Sequence, residues 1–211
     1  MRKVKIYGER RTGTNALTHN LKVNFPEIEF AFPNDWKHGF PLKELDPDVF
    51  YIFTVRNPVT WIESFCRTPH HNGHLFRTPI SKALFMRVRD NEGESLDFEN
   101  LVDLWNQKNK AYLEASKAEN AMLVYFEGRG AAYDYVLRRI GQEIGMTPNE
   151  PLKIEHRRVA ATGEVLNIRN KIKMDYNHIW KRLFNSTARA LISGEIDKDL
   201  MNKLKYKLCG K

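Results

Sequence analysis

The sequence has few cysteines and no long hydrophobic run, and both shortages narrow the possible classes of protein. Only two of its 211 residues are cysteine, Cys66 and Cys209, and neither has metal-site spacing. They can form only one disulfide, and we interpret Cys66 as a buried core residue. No apolar stretch approaches the roughly 20 residues that a membrane span requires. Residues 1–7 lack the apolar stretch of a signal peptide, so we expect a cytoplasmic protein without a membrane span.

The composition is that of a globular protein with an excess of positive charge. Hydrophobic residues make up 42% of the chain and charged residues 28%. No linker-like or repeated segment divides residues 1–211, so we expect a single domain. The net charge of +8 favours an anionic partner, whether a nucleotide, an acidic glycan, a nucleic acid or a membrane surface. Charge alone does not choose among these partners.

Short apolar segments alternate with longer amphipathic ones, which indicates an α/β fold with a central parallel sheet flanked by helices. The second apolar segment is nearly continuous, as in a parallel strand covered on both faces. Residues 1–146 would form a nucleotide-binding core, and residues 147–211 a basic helical C-terminal part. We predict strands at 3–7, 49–55 and 121–125, and helices at 14–23, 58–64, 80–89, 98–118, 131–144, 176–184 and 196–207.

The turn after the first strand has the residues of an anion-binding loop. Two glycines five residues apart, Gly8 and Gly13, let the backbone curl around an anion, and the following helix N-terminus adds its dipole. Two arginines supply positive charge and two threonines supply hydroxyl donors. We therefore predict a P-loop-like turn that binds phosphate or a similar oxyanion, with an ordinary basic turn as the alternative. The residues involved are Arg10, Arg11, Thr12, Gly13, Thr14 and Asn15.

Two departures from the nucleoside-triphosphatase pattern disfavour a kinase or GTPase. Thr14 and Asn15 stand where Lys followed by Ser or Thr would contact the phosphates and Mg²⁺. The second strand ends in Val55 and Arg56, without an acidic residue that helps to hold a metal. A small kinase remains as one alternative, and it predicts Mg²⁺-dependent consumption of ATP. A basic nucleotide-binding or nucleic-acid-binding protein without turnover is the other, although no recognised reader motif is present.

Three segments in order along residues 3–146 resemble motifs of the sulfotransferases that use 3′-phosphoadenosine 5′-phosphosulfate (PAPS). The first is Arg11-Thr12-Gly13-Thr14, which is similar to the family's turn around the 5′-phosphosulfate. The second is Phe53-Thr54-Val55-Arg56-Asn57-Pro58, with Ser64 on the next helix. The third, looser likeness is Leu123-Val124-Tyr125-Phe126-Glu127 with the helix after it. The resemblance implies transfer of a sulfuryl group from PAPS to a hydroxyl or amine, with 3′,5′-bisphosphoadenosine (PAP) as product and no metal.

The resemblance also implies which residues bind the nucleotide. Residues 10–15 would surround the 5′-phosphosulfate, while Arg56 and Ser64 would bind the 3′-phosphate. Independently, Arg56 falls at the carboxyl end of a central strand, where open α/β sheets bind ligands, and its planar fork suits phosphate. Its alternative role is an ion pair with a surface carboxylate. Residues 159–163 and 169–171 are both candidates for the family's C-terminal loop over the adenine and 3′-phosphate.

Three residues are candidates for catalysis. Arg11 stands where the family usually has Lys, and since Arg retains its proton it would act as an electrostatic clamp. Lys37 is a candidate proton donor from the opposite side. His38 lies between the two nucleotide motifs and has an ordinary pKa suited to a base. Glu9 is the rival base, and a loop histidine without a role is the alternative for His38.

The acceptor is not identified by the sequence. We expect a small-molecule or glycan acceptor and no specific nucleic acid, and the oligomeric state is open. The histidines of residues 70–74 have no carboxylate or cysteine at metal-site spacing. They fit a loop that binds the acceptor or a solvated loop. Four aromatic residues at helical spacing are interpreted as core residues, namely Trp105, Tyr112, Trp180 and Phe184.

Overall fold

The central sheet is built from the apolar segments of the sequence. The computed structural model describes residues 3–31, 36–67, 72–75, 78–90, 96–129, 133–154 and 176–208. Among these, four parallel strands form one sheet and two short antiparallel strands form another. The protein is therefore an α/β fold with a central parallel sheet flanked by helices, as the sequence predicts. The strands are β1 (Lys3–Gly8), β2 (Glu29–Phe30), β3 (Val49–Val55), β4 (Val88–Asp90), β5 (Leu96–Phe98) and β6 (Ala121–Tyr125).

Helices connect the strands and continue after the last one. Residues 73–75 and 126–129 form short 3₁₀ turns. Asn100 begins the longest helix by accepting hydrogen bonds from the backbone N–H groups of Val102 and Asp103, a typical N-cap. The helices are α1 (Thr14–Asn24), α2 (Pro58–Arg67), α3 (Ile80–Ala83), α4 (Leu101–Ala115), α5 (Tyr133–Ile144), α6 (Tyr176–Leu183), α7 (Ser186–Glu195) and α8 (Lys198–Lys203).

The order of the parallel strands is β2-β1-β3-β6. The chain leaves β1 through α1 to reach β2 on one side, and β3 then pairs with β1 on the other side. The chain thus adds strands on opposite sides of β1, and the place between β1 and β3 is the switch point at which open α/β sheets bind ligands beyond their carboxyl ends. Gly8 pairs with Thr54 at this edge, so the segments after β1 and β3 emerge side by side.

Alternating side chains of the strands divide the core into two layers. Tyr7, Tyr51 and Phe53 face a layer that includes residues of α2 and α4. Ile6 and Ile52 face the opposite layer, which includes residues of α1 and α5. Both faces of the sheet are therefore covered, which accounts for the continuous apolar sequence of β3.

Two of the predicted helices differ from the structure. The predicted helix over residues 80–89 is wrong, because α3 ends at Ala83 and Val88–Asp90 forms a strand paired with Leu96–Phe98. Val88 and its partner Phe98 are both buried, so hairpin packing overrides local helix preference there. The predicted helix over residues 196–207 is shorter, and a separate helix over Ser186–Glu195 precedes it.

Several core predictions are confirmed. All four aromatic residues that the spacing assigned to the core are buried: Trp105, Tyr112, Trp180 and Phe184. Cys66 is a buried free thiol, and burial raises its pKa to about 12. Cys209 lies outside the described residues. Within the described ranges, every helix is too short or too polar to cross a bilayer.

Candidate functional site

The backbone after β1 makes a sharp turn in which two residues have a positive φ, a conformation that residues with side chains rarely adopt. Gly13 has a φ of 81° and precedes the first residue of α1, and Arg11 has a φ of 71°. The left-handed region costs a non-glycine residue about 1 kcal/mol, so surrounding contacts must hold Arg11 in this conformation. Gly8 is fixed for a different reason, since a Cβ atom there would lie 1.9 Å from the hydroxyl oxygen of Thr54.

Two threonine hydroxyls join the turn to the end of β3. Thr12 Oγ1 donates to the carbonyl of Glu9 at 2.6 Å. The hydroxyl oxygens of Thr12 and Thr54 are 2.7 Å apart and share a hydrogen bond. The sequence assigns Thr12 to the anion, but in the structure its hydroxyl hydrogen bonds within the turn. The same segment is held by Trp61 of α2, whose indole N–H donates to the carbonyl of Arg10 at 2.8 Å.

The two predicted arginine-bearing motifs are in direct contact. Arg11 Nε donates to Ser64 Oγ at 3.1 Å, and Arg56 Nη1 donates to the carbonyl oxygen of Arg11 at 2.9 Å. Arg56 Nε donates to Thr60 Oγ1 at 3.1 Å, and its guanidinium lies 4.1 Å from the centre of the Phe126 ring. Residues that are far apart in sequence thus form one cationic cluster at the carboxyl ends of β1 and β3.

Ser64 reaches this cluster because α2 runs past it. Pro58 begins the helix with a pre-set φ, and Asn57 Oδ1 accepts from the N–H of Val59. Asn57 N–H in turn donates to Glu127 Oε1 at 2.9 Å, which connects the end of β3 to the end of β6. The start of α2 is therefore anchored to the sheet, and Ser64, two turns along, comes to lie beside Arg11.

His38 is buried next to the first residue of the turn. Its Nδ1 lies 2.6 Å from the carbonyl oxygen of Gly8, which only accepts hydrogen bonds. Nδ1 therefore carries the proton, and Nε2 of the neutral ring retains its lone pair. The pKa of His38 is lowered to about 3, mainly by burial; the Gly8 hydrogen bond opposes this shift, and the charges of Arg10, Lys37 and Lys108 add to it.

The segment that carries His38 is held from two sides. Gly8 N–H donates to the carbonyl of Lys37 at 3.0 Å, on the side of the sheet. On the side of α4, Lys108 Nζ donates to the carbonyl of His38 at 2.7 Å and Tyr112 donates to that of Gly39 at 3.0 Å. Lys108 is fully buried, and its ammonium lies 4.5 Å from the centre of the Phe40 ring.

The remaining predicted residues surround this arrangement. Lys37 Nζ donates to Asn15 Oδ1 at 2.6 Å, which connects the His38 segment to the first turn of α1. The guanidinium of Arg10 lies 5.1 Å from the centre of the Trp36 ring, and that ring makes a T-shaped contact with the His38 ring. Glu9, the rival base, is buried and its Oε1 accepts from the N–H of Arg10 at 2.6 Å. Thr14 is buried at the start of α1.

Sequence reasoning assigned no role to three residues that shape the site. These are Thr54, which closes the turn, Lys108, which holds the His38 segment, and Glu127, whose carboxylate joins β6 to Asn57 and also accepts from Tyr206. Lys108 had a signal, since its spacing from Trp105 and Tyr112 places a lysine on the apolar face of a helix.

Some predicted residues lie outside the described residues. They include both candidates for the C-terminal nucleotide loop, 159–163 and 169–171, and two histidines of the loop at 70–74. His74 is described, and its Nε2 lies 2.9 Å from the carbonyl of Arg87. Within the described ranges, no group of three or more His, Cys, Asp or Glu side chains is placed to hold a metal ion.

Neither protein-family models nor curated protein sequences give a match to this chain.

Proposed function

We propose that the protein is a sulfotransferase that binds PAPS at the carboxyl ends of β1 and β3. The contact of Arg11 with both Ser64 and Arg56 carries this proposal. It places two guanidinium groups from separate motifs at the switch point of the sheet, where α/β folds bind nucleotides. PAPS has anionic groups at both ends of its ribose, and a pair of arginines at neighbouring strand ends suits such a ligand.

The turn after β1 fits the phosphosulfate end of the nucleotide and would act as a P-loop-like cradle. Gly8 keeps the space that a Cβ would fill, and Gly13 adopts the positive φ that precedes α1. The N-terminus of α1 has no side-chain cap, so its backbone N–H groups suit an anion. Arg10 and Arg11 add full positive charges. The donor set is thus that of an oxyanion site.

PAPS, when bound, supplies the sulfuryl group, whose bond to the 5′-phosphate oxygen breaks as a bond to the acceptor oxygen forms. Arg11 stabilises the negative charge on the leaving phosphate as an electrostatic clamp, since its guanidinium does not release a proton. Lys37, on the side of Asn15, is the second cation near the leaving group. Arg56 and Ser64 hold the 3′-phosphate and fix the nucleotide in position.

His38 accepts the proton of the acceptor hydroxyl at Nε2. The hydrogen bond from Nδ1 to Gly8 fixes the required tautomer, in the manner of other orienting contacts of catalytic histidines. Its low pKa keeps the ring neutral before the reaction. The negative charge of a bound nucleotide offsets the charges of Arg10 and Lys37, which raises the pKa and makes the ring a stronger base.

A ligand comparison tests the nucleotide assignment. We expect PAP to raise the melting temperature more than AMP or ATP, because only PAP presents both phosphates to Arg11 and Arg56. A ligand at 100 times its dissociation constant adds about 2.7 kcal/mol to the free energy of unfolding. Thermal shift, run with each ligand in the absence and in the presence of Mg²⁺, makes the measurement. Stabilisation by ATP and Mg²⁺ above that by PAP would favour a kinase and contradict the proposal.

A single substitution locates the 3′-phosphate. Arg56→Lys keeps the charge but loses the fork that contacts Thr60 and Arg11. We expect PAP to bind about 30-fold more weakly, which corresponds to about 2 kcal/mol. AMP lacks the 3′-phosphate, so its affinity should be unchanged, and calorimetric titration of both ligands measures the difference. Equal losses for PAP and AMP would remove Arg56 from this role.

A further inference from the structure

Tyr206, which follows the last helix of the described chain, contacts side chains that hold the carboxyl end of β3. We propose that Tyr206 is a positioning residue for Arg56, and that its hydroxyl strengthens the binding of a ligand phosphate at that guanidinium. The inference rests on the proposed function for the identity of this phosphate, which is the 3′-phosphate of the nucleotide. The connection between Tyr206 and Arg56 stands on the contacts of the structure alone.

The end of α8 fixes the backbone of Tyr206. Leu204 is buried, Lys205 is exposed and Tyr206 is half-buried. Lys205 has a φ of 54°, and the N–H of Tyr206 donates to the carbonyl of Met201 at 2.9 Å. A left-handed residue followed by a hydrogen bond of this kind is the Schellman ending of a helix. The main chain of Tyr206 is thus held by α8, independently of its side chain.

The ring of Tyr206 packs on two aromatic residues from other elements. Its centre lies 5.7 Å from that of Tyr125, in a T-shaped contact, and 6.4 Å from that of Trp105. Tyr125 ends β6, and Trp105 is a buried residue of α4. Aromatic contacts at these distances are attractive beyond the area that they bury. Because the ring itself is packed, we expect it to keep its place when only the hydroxyl is removed.

The peptide bond between Arg56 and Asn57 is held at both of its polar groups. This peptide lies just beyond Val55, the last residue of β3. Its carbonyl accepts from the indole N–H of Trp105 at 2.9 Å, and its N–H donates to Glu127 Oε1 at 2.9 Å. A peptide unit is planar, so two hydrogen bonds at its opposite edges fix the orientation of the whole plane. The direction in which the Arg56 side chain leaves the main chain is thereby restricted.

Tyr206 contacts both side chains that hold this peptide. Its hydroxyl donates to Glu127 Oε2 at 2.9 Å, while Oε1 of the same carboxylate accepts from Asn57. Rotation of the carboxylate would break both hydrogen bonds, so the Tyr206 hydroxyl keeps Oε1 directed at the peptide N–H. The ring of Tyr206 packs against Trp105, which binds the carbonyl. One tyrosine therefore supports both hydrogen bonds of the peptide.

A fixed main chain at Arg56 gives a fixed guanidinium. Arg56 Nε donates to Thr60 Oγ1 at 3.1 Å, and Nη1 donates to the carbonyl of Arg11 at 2.9 Å. A charged donor that is already in position loses less conformational entropy when it binds a phosphate. Freedom of the peptide after Arg56 would therefore weaken phosphate binding, although every group that contacts the phosphate would still be present.

Removal of one hydroxyl tests the inference. In Tyr206→Phe we expect PAP to bind about fivefold more weakly, which corresponds to about 1 kcal/mol. AMP lacks the 3′-phosphate, so its affinity should be unchanged. Tyr51→Phe is the matched control, because it also removes one hydroxyl, which accepts from the N–H of Asp46 before β3. This control should leave the affinity for PAP unchanged, and isothermal titration of the full chain measures each affinity.

Two further measurements show whether Tyr206 acts through Glu127. In a Glu127→Ala background, Tyr206→Phe should cause no additional loss of PAP affinity, because the shared carboxylate is absent. In two-dimensional amide NMR spectra of the free protein, the Asn57 signal reports on its hydrogen bond to Glu127. We expect this signal to move in Tyr206→Phe and to stay in place in Tyr51→Phe. The NMR measurement needs no nucleotide.

The outcomes separate this inference from the proposed function. An unmoved Asn57 signal in Tyr206→Phe overturns the inference in every case. With a moved signal, an unchanged PAP affinity, equal losses for PAP and AMP, or an undiminished loss in the Glu127→Ala background also overturns it. A wild-type protein that does not bind PAP defeats the proposed function, and a moved Asn57 signal then leaves the positioning of Arg56 by Tyr206 in place.

Discussion

The carboxyl ends of β1 and β3 lie side by side in the sheet, yet different parts of the chain shape them. After β1, the path is set by backbone features: Gly8 packed against Thr54, Gly13 in the left-handed region, and main-chain hydrogen bonds from Gly8 to the His38 segment. After β3, the cluster is set by side chains, in which Arg56 joins Thr60 to the turn. The main chain thus determines the geometry at the end of β1, whereas guanidinium and hydroxyl groups determine it at the end of β3.

This contrast predicts that changes at one strand end act mainly on stability and changes at the other act mainly on ligand binding. The geometry at the end of β1 is set by main chain that the core surrounds, and a change there displaces this main chain. We therefore expect such a change to act mainly by lowering the free energy of unfolding. A conservative change at the side-chain-built end of β3 leaves the main chain in place, and we expect it to act mainly on nucleotide affinity. The Arg56→Lys titration already tests the second half of this expectation, and the following predictions test the rest.

The largest expected effect is a dependence of stability on pH at the β1 end. His38 has a pKa of about 3 in the folded protein and 6.5 as its ordinary value. Between these values the unfolded chain binds a proton that the folded chain does not. The free energy of unfolding is therefore highest above pH 6.5, and titration of His38 lowers it as the pH falls towards 3. Each pH unit between these two values lowers the free energy of unfolding by about 1.4 kcal/mol.

Replacement of His38 by Asn isolates this effect from the titration of carboxylates. The Asn amide has a donor for the Gly8 carbonyl but no proton to gain. Urea unfolding of both proteins at pH 7.5, 6.5, 5.5 and 4.5 should show the wild type losing stability relative to His38→Asn as the pH falls. Parallel curves for the two proteins would mean that His38 does not stay neutral, and the description of the buried ring would be wrong.

The next effect concerns the contact of Gly8 with Thr54. In Gly8→Ala the new methyl group meets the Thr54 hydroxyl at 1.9 Å and the Thr12 hydroxyl at 2.7 Å. Overpacking of this kind costs about 3 kcal/mol. Thr54→Ala removes the closest atom, so the double variant should recover part of the loss, and a double-mutant cycle by denaturant unfolding measures the coupling. Additive losses would show that the two positions do not share this space.

The fold was largely predictable because its main elements carry strong local patterns. Residues 49–55 and 121–125 are apolar runs of strand length, and the structure has strands over the same residues. β2 escaped prediction because two residues carry no periodicity. Val88–Asp90 was predicted as part of a helix because its strand conformation depends on Leu96–Phe98, a partner that a local pattern does not include.

The arrangement of the site was predictable only where the order of the strands alone brings residues together. Strands β1 and β3 being parallel neighbours is enough to bring Arg11 near Arg56, since parallel strands end at the same edge. The role of Lys108 was not predictable in the same way. Its contact with the carbonyl of His38 depends on how α4 packs against the segment after β2, and that packing is a property of the whole core.

The smallest effect is expected at the hydroxyl that completes the side-chain-built end. Ser64→Ala removes the acceptor of Arg11 Nε and leaves the helix and its buried neighbours unchanged. A single hydrogen bond of this kind contributes about 1 kcal/mol, so PAP affinity should fall about fivefold. The free energy of unfolding should change much less than in Gly8→Ala. Calorimetric titration of PAP and urea unfolding of the same sample measure both quantities. A large loss of stability with unchanged PAP affinity would reverse the contrast between the two strand ends, because Ser64 would then act on the fold rather than on the ligand.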